Sequence, residues 1–94
     1  MNVIFEWDRR KAASNLSKHR VPFEEALTVF RDPLARIFND EDHSVEEQRE
    51  IIVGCSSQGH LLVVCFTARG GSVRIFSART ATKTERRDYE ENVE

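Results

Sequence analysis

The segment covering residues 69–87 carries the side chains best suited to chemistry in this 94-residue chain. Arg74 and Arg79 flank a short apolar stretch, and Arg69 stands at the turn before it. Arginine presents a planar fork of N–H groups that fits phosphate oxygens and stays charged at any working pH. The three arginines therefore predict a phosphate-binding site, although arginines at the edge of a sheet are also often merely solvated.

The last helix of the chain offers groups that could transfer protons beside those arginines. Glu85 and Tyr89 lie on its candidate packing stripe, with Lys83 and Arg86 next to them. In the simpler interpretation the helix is solvated, Glu85 is only a cap, and a pair such as Arg86–Glu90 contributes about 0.3–0.5 kcal/mol. The sequence leaves both interpretations open.

Lys18 and His19 end the first predicted helix. Histidine is the residue type best suited to moving a proton near neutral pH, so His19 is a candidate acid or base. A histidine in this position can equally cap the helix, because the helix dipole favours a cation there. His43 could act in the same way or bond a loop, and His60 is expected to be exposed beside a turn.

Charge is distributed unevenly along the chain, although the formal net charge is only −2. Residues 1–20 carry five basic and two acidic side chains, and residues 69–87 carry six basic and one acidic. Residues 21–51 carry three basic and nine acidic side chains, and residues 88–94 add four more acids. A chain of this kind is no general polyanion binder, but a local basic patch can still bind phosphate.

The length of the chain predicts a single domain spanning residues 1–94. No apolar run approaches the ~18 residues that a membrane helix requires, and no export signal is recognisable, so we expect a cytoplasmic protein without membrane contact. Cys55 and Cys65 lie in apolar runs, which favours reduced, buried thiols over a disulfide between strands. A zinc site is less consistent with their spacing, and no cofactor is expected.

Hydrophobic periodicity and capping residues predict an α+β fold. Asp8 is a candidate N-cap for a helix ending near His19, and Pro22 opens a second helix that stops before Asp32. Strands are predicted at 3–7, 34–38, 49–56, 61–68 and 72–78, with a capped turn at Ser44 and Glu47 and a final helix from Thr82 to about Asn92. We expect an antiparallel sheet, with strand 61–68 in its centre and the helices mainly on one face.

Taken in order, four groups of residues resemble the BrnT family of toxins from bacterial type II toxin–antitoxin pairs. The groups are Phe5-x-Trp7-Asp8-x-x-Lys11-Ala12-x-x-Asn15-x-x-Lys18-His19, Phe23-x-Glu25-Ala26-x-x-Val29-Phe30-x-Asp32-Pro33, His43-Ser44-x-x-Glu47-x-Arg49 and Arg74-Ile75-x-Ser77-Ala78-Arg79-x-Ala81-Thr82-x-x-Glu85-Arg86-x-x-Tyr89-Glu90. The resemblance covers nearly the whole chain with short gaps. One departure is Arg20, where the family usually has the glycine that ends a helix without strain.

The resemblance implies a RelE-like fold, a ribonuclease activity that arrests translation, and a BrnA-type antitoxin. That antitoxin would neutralise the toxin, and any contact with DNA would be indirect, through the antitoxin. Toxins of this fold vary their active-site residues, so the resemblance is less informative about the chemistry.

Residue types and resemblance together predict a metal-independent endoribonuclease that needs no cofactor. A general base, His19 or Glu85, would draw the proton from a ribose 2′-hydroxyl, which attacks the adjacent phosphate. Arg49, Arg74 and Arg79 would bind that phosphate, and Tyr89 and Lys18 would protonate or orient the reacting groups. Further RNA phosphate contacts are expected from Arg69, Lys83 and Arg86.

Two other functions stay open at this point. The chain could be a non-catalytic module that binds RNA or joins a repressor complex through its antitoxin. A metal-dependent nuclease using Asp40, Glu41 and Asp42 has less support, because that run is typical of a solvated loop.

Overall fold

The computed structural model describes residues 3–41 and 48–92. The predicted capped turn at Ser44 and Glu47, together with His43, lies outside these residues. The elements in chain order are β1 Ile4–Glu6, α1 Arg9–His19, α2 Phe23–Ala26 with a 3-10 helix Leu27–Arg31, β2 Arg36–Asn39, β3 Glu50–Cys55, β4 Leu61–Arg69, β5 Ser72–Thr80 and α3 Lys83–Glu91. The predicted elements within the described residues are present, with boundaries shifted by a few residues.

The five strands form one sheet in the order β1-β5-β4-β3-β2. Strands β2 to β5 are antiparallel, and β4 is central as predicted. The prediction of a wholly antiparallel sheet is wrong for β1, which pairs parallel with β5 through Ile4–Ser72, Phe5–Val73 and Glu6–Arg74. Strand β1 lies beside the edge of β5 that β4 leaves open. The chain between β1 and β5 passes through every element from α1 to β4, and a connection of this length allows the two neighbouring strands to run in the same direction.

The main core lies between one face of the sheet and the helices α1 and α2. Phe23, Leu62 and Val64 are fully buried there, and Phe66 is nearly so. Trp7 is half-buried and packs against Phe23 with ring centroids 5.8 Å apart.

Helix α1 has the predicted N-cap and an unusual end. The Asp8 carboxylate accepts hydrogen bonds from the backbone N–H groups of Arg10 and Lys11, at 2.8 and 3.1 Å. At the other end Arg20 adopts the left-handed conformation, with φ 61° and ψ 24°. Arg20 is the one residue other than glycine with positive φ among residues 3–41 and 48–92.

A buried amide attaches α1 to the edge of β5. The Asn15 side chain donates to the carbonyl oxygens of Ala78 and Val21, at 2.8 and 3.0 Å, and accepts from the Ala78 N–H at 3.0 Å. The Asn15 side chain thus makes the hydrogen bonds that a neighbouring strand would make, at the part of the β5 edge that β1 does not reach. This attachment fixes the distance between α1 and the part of β5 that carries Arg79.

The second face of the sheet is covered only at one end, by α3. Val53, Leu61 and Val63 form a small cluster there, against which Ala81 and Tyr89 pack. Helices α1 and α2 therefore lie on one face of the sheet, and α3 lies on the other. None of the helices within residues 3–41 and 48–92 is long and apolar enough to cross a membrane.

Candidate active site

An open cleft of about 410 Å³ occupies the second face of the sheet beside α3. Its walls are formed by α1 and by strands β3, β4 and β5, together with Asp40 just after β2 and Arg49 just before β3. The lining residues are Lys11, Asp40, Arg49, Ile51, Val63, Cys65, Phe76, Ser77 and Arg79. Three cations converge on an apolar floor, which is the arrangement expected of a site for a phosphate group.

A β-bulge in β5 determines which side chains reach this face. Cys65 pairs with Ser77 and Phe66 pairs with Ile75, so Phe76 has no partner of its own on β4. Beyond a bulge the alternation of side chains is shifted by one residue. Arg74 and Arg79 are an odd number of residues apart, yet both face away from the main core.

The ring of Phe76 organises the cations on one side of the cleft. The guanidinium carbon of Arg49 lies 3.9 Å from the ring centroid, and Nζ of Lys11 lies 5.1 Å from it. Both distances are within the range of cation–π attraction, which holds a cation above an aromatic face. Phe76 therefore positions Lys11 and Arg49 towards the same space.

Arg79 is held by Glu85 at the other side of the cleft. Nη1 of Arg79 donates to Oε1 of Glu85 at 2.7 Å, and Nη2 donates to Oε2 at 2.8 Å. Nη1 also donates to the Thr80 carbonyl at 3.3 Å. These bonds use the end of the guanidinium. Its lateral edge consists of the Nε–H and the second N–H of Nη2, and it has no bond to other described residues. This edge can therefore receive a phosphate.

Glu85 belongs at the same time to the predicted capping box of α3. Its Oε1 accepts from the Thr82 backbone N–H at 2.8 Å, and its own N–H donates to the Thr82 hydroxyl at 3.2 Å. The hydrogen bond from Arg79 lowers the pKa of Glu85 to about 2, and the bonds with Thr82 add to that effect. The same contact raises the pKa of Arg79. Glu85 is thus a stable carboxylate at neutral pH, which suits a support for Arg79 better than a general base.

Tyr89 reaches away from the cleft, towards the loop before β2. Its hydroxyl donates to Oδ2 of Asp32 at 2.6 Å, and the same oxygen accepts from the Cys55 N–H at 2.7 Å. Burial and the bond to Asp32 raise the pKa of Tyr89 to about 12. Burial raises the pKa of Asp32 as well, but the hydrogen bonds from Cys55, Tyr89 and Leu34 outweigh it, so the pKa of Asp32 is lowered. These contacts attach α3 to the rest of the fold.

His19 and Lys18 do not line the cleft. His19 is half-buried at the end of α1, and Lys18 is exposed. Lys18 follows Lys11 by seven positions, so both lie on one side of the helix, about two turns apart. Lys18 can therefore extend the line of positive charge that begins at Lys11.

The predicted phosphate-binding residues divide into three locations. Arg79 and Arg49 share the cleft, whereas Arg69 and Arg74 line a second cavity at the far end of the β4–β5 hairpin. Lys83 and Arg86 are exposed on α3, where Arg86 is 3.9 Å from Glu90. The basic residues of the segment 69–87 therefore contribute to the cleft, to the second cavity and to the exposed side of α3.

Sequence reasoning missed several residues of the cleft. Asp40 was placed in a solvated loop, but its side chain is buried, 3.4 Å from the Cys65 thiol. Burial, with Asp40 nearby, raises the pKa of that thiol to about 11. Lys11 and Phe76 carried no signal that could separate them from ordinary surface and core positions. His60 is exposed as predicted, and its Nδ1 lies 2.7 Å from Oε2 of the buried Glu25.

Of the acidic run proposed as metal ligands, Asp40 is buried, and Asp42 lies outside the described residues. Within residues 3–41 and 48–92 no three His, Cys, Asp or Glu side chains come together in a way that could hold a metal ion.

Residues 7–85 match the family described as "Ribonuclease toxin, BrnT, of type II toxin-antitoxin system". The fold is similar to the 1.1 Å crystal structure of the Brucella abortus ribonuclease toxin BrnT, with a TM-score of 0.63 and 22% sequence identity over 88% of this chain and 99% of that one. A search of curated proteins finds no match. The family match spans most of the chain, from Trp7 to Glu85, and therefore the chain belongs to the BrnT family of type II toxin–antitoxin ribonuclease toxins.

Proposed function

We propose that this chain is a metal-independent endoribonuclease of the RelE-like kind, which acts in the cytoplasm and arrests translation by cleaving RNA. The observation that carries the proposal is the convergence of Arg49, Arg79 and Lys11 on one open cleft. Positive charge on a water-accessible sheet face suits an RNA strand, whose phosphates provide most of the affinity in such complexes.

The proposed reaction begins with attack of a ribose 2′-hydroxyl on the adjacent phosphorus. The lateral edge of Arg79 and the guanidinium of Arg49 stabilise the charge that develops on the phosphoryl oxygens. The bond to the 5′-oxygen of the next nucleotide then breaks, and Lys11 supplies a proton to that oxygen, whereas Lys18, predicted for this role, lies outside the cleft. The products are a 2′,3′-cyclic phosphate and a free 5′-hydroxyl.

Asp40 is the carboxylate that lines the cleft, and we assign to it the removal of the 2′-hydroxyl proton. His19, which the sequence predicted for this role, is the alternative base. In this proposal Glu85 positions Arg79, and Tyr89 stabilises α3 without touching the substrate. Asp40→Asn and His19→Gln, compared in single-turnover cleavage, separate the two bases, because only loss of the true base slows the chemical step with binding retained.

The family also supports an antitoxin as partner, and we propose a BrnA-like protein that covers the basic surface of residues 69–87. Covering that surface would block RNA directly, and contact with DNA would occur only through the antitoxin. An acidic, partly disordered antitoxin segment fits the charge of this surface. Hydrogen exchange on the complex tests the placement, and protection confined to residues 21–51 would contradict it.

The decisive experiment for the activity uses purified chain and end-labelled RNA, with and without a chelator. We expect fragments ending in a cyclic phosphate in both conditions, and none from the Arg49→Ala, Arg79→Ala double variant. RNA that is retarded in a gel but never shortened would favour the non-catalytic binding module, which the carboxylate-poor, cation-rich cleft also suits. Fragments that disappear with the chelator would favour a metal-dependent reaction.

A further inference from the structure

A second basic cavity, of about 220 Å³, lies on the same sheet face as the cleft. Its lining residues are Glu6, Thr67, Arg69, Ser72 and Arg74. Strand pairing brings them together, because Thr67 is opposite Arg74, Arg69 is opposite Ser72, and Glu6 of β1 is on the other side of Arg74. Two guanidinium groups and two hydroxyl groups therefore surround one small concavity.

The distance between the two concave parts follows from the register of β4. Arg79 pairs with Val63 and Arg74 pairs with Thr67, so four residues of β4 separate the two positions. At the usual rise of a strand this separation is about 13 Å. An RNA backbone cannot cover that distance in one internucleotide step, but two extended steps suffice.

In the second cavity the Glu6 carboxylate occupies a position beside Arg74 that a phosphate can take over. Nη1 of Arg74 lies 3.6 Å from Oε1 of Glu6, and both side chains are about half-exposed, at 43% and 51%. An ion pair with these exposures contributes little to stability, so a phosphate can take the place of the carboxylate at small cost.

We propose that this cavity is a second phosphate subsite, which binds an RNA phosphate two nucleotide steps from the one that is cleaved. The inference rests on the proposed ribonuclease function and adds a requirement to it. The substrate is a single strand in an extended conformation, and it must continue past the cleavage position on one side. In a duplex the helix fixes the spacing of the phosphates, so a duplex cannot adjust to the two subsites as an extended single strand can.

The test uses DNA oligonucleotides that contain one ribonucleotide, so that cleavage can occur at only one known phosphate. The oligonucleotides grow by one nucleotide at a time on the 5′ side or on the 3′ side. For each length the single-turnover rate at limiting enzyme is compared between wild type and Arg74→Ala. Arg31→Ala, which removes an exposed arginine from the helix layer, is the charge-matched control.

We expect the ratio of wild-type to Arg74→Ala rates to rise about tenfold when the oligonucleotide first includes the second phosphate on one side. It should then stay constant with further length. The ratio for Arg31→Ala should not change with length. A ratio for Arg74→Ala that is the same at every length would overturn the subsite.

A single neutral phosphate identifies the contact directly. Replacing the second phosphate by a methylphosphonate should slow the wild type about tenfold and have much less effect on Arg74→Ala. Equal slowing of both proteins would also overturn the proposal. If no oligonucleotide is cleaved, the same series measured by equilibrium binding still tests the subsite, so that failure of the ribonuclease function is recognised separately.

Discussion

Arg79 and Glu85 are joined by two hydrogen bonds, of 2.7 and 2.8 Å, across the junction of β5 and α3. Because Oε1 of Glu85 also accepts from the first N–H of the helix cap, at Thr82, the orientation of the guanidinium depends on how α3 begins. A helix that covers only one end of the sheet face thus has a direct connection to the cleft.

Arg79→Lys should separate transition-state stabilisation from simple attraction of RNA. Lysine keeps the positive charge but loses the planar fork and the paired contact with Glu85. We expect RNA affinity to be largely retained and single-turnover cleavage to fall by roughly 10²–10³-fold.

Arg87→Lys, on the exposed surface of α3, is the matched control and should cleave at the wild-type rate. An Arg79→Lys variant that cleaves as fast as the wild type would falsify the assignment of Arg79 to the active site. Membership of the family would be unaffected by that result.

Glu85→Gln should lower stability in a pH-dependent manner. The pKa of Glu85 is lowered to about 2, so its stabilising effect is fully present above the ordinary pKa near 4.5 and is lost as the pH falls from there towards 2. For this partly exposed pair we expect a difference of about 1–2 kcal/mol at pH 7 after solvent screening. Urea unfolding of both proteins at several pH values measures it, with Glu91→Gln as control. A difference that stays constant down to pH 2 would contradict the ion pair.

Tyr89→Phe tests whether the phenol is structural or chemical. Removing the hydroxyl leaves Asp32 with one donor fewer, which should cost about 1–2 kcal/mol of unfolding free energy. Cleavage by the folded variant should remain within about twofold of wild type, since the hydroxyl faces Asp32. A loss of cleavage with unchanged stability would instead restore the proton-transfer role predicted from the sequence.

Arg20→Gly should stabilise the protein. Arg20 is the left-handed residue at the end of α1, a conformation that costs a side-chain-bearing residue roughly 1–2 kcal/mol. Glycine removes that strain but adds freedom to the unfolded chain, so we expect a net gain of about 0.5–1 kcal/mol. Arg20→Ala keeps the strain and should be close to wild type in thermal unfolding. Equal stability of the glycine and alanine variants would show that the conformation is not strained.

Much of the fold could be predicted because the local signals agree with one another. Asp8 and Thr82 have the spacing of helix caps, and the apolar run from Leu61 has the composition of a central strand. Both features depend on neighbouring residues alone. The parallel pairing of β1 depends instead on which edge of the sheet is free to accept a further strand, and no local sequence pattern determines that.

The cleft could be predicted only in part for the same reason. Arg49 and Arg79 were recognised by type, but the strand register and the Asn15 attachment decide that they share a space with Lys11. Asp40 was missed because a run of acidic residues is usually solvated, whereas here one member turns inward. The contact of Glu85 with Arg79 was missed, because the spacing of a capping box involves only the start of the helix and does not indicate which residues of the preceding strand lie nearby.

The unpaired Phe76 is a residue that the sheet itself can lose. Its two neighbours pair with consecutive residues of β4, so deleting Phe76 would leave a regular ladder without a bulge. Arg74 and Arg79 would then be four residues apart and would still lie on one face by plain alternation. The deletion should therefore keep the sheet and the direction of both arginines and remove only the ring beside Lys11 and Arg49.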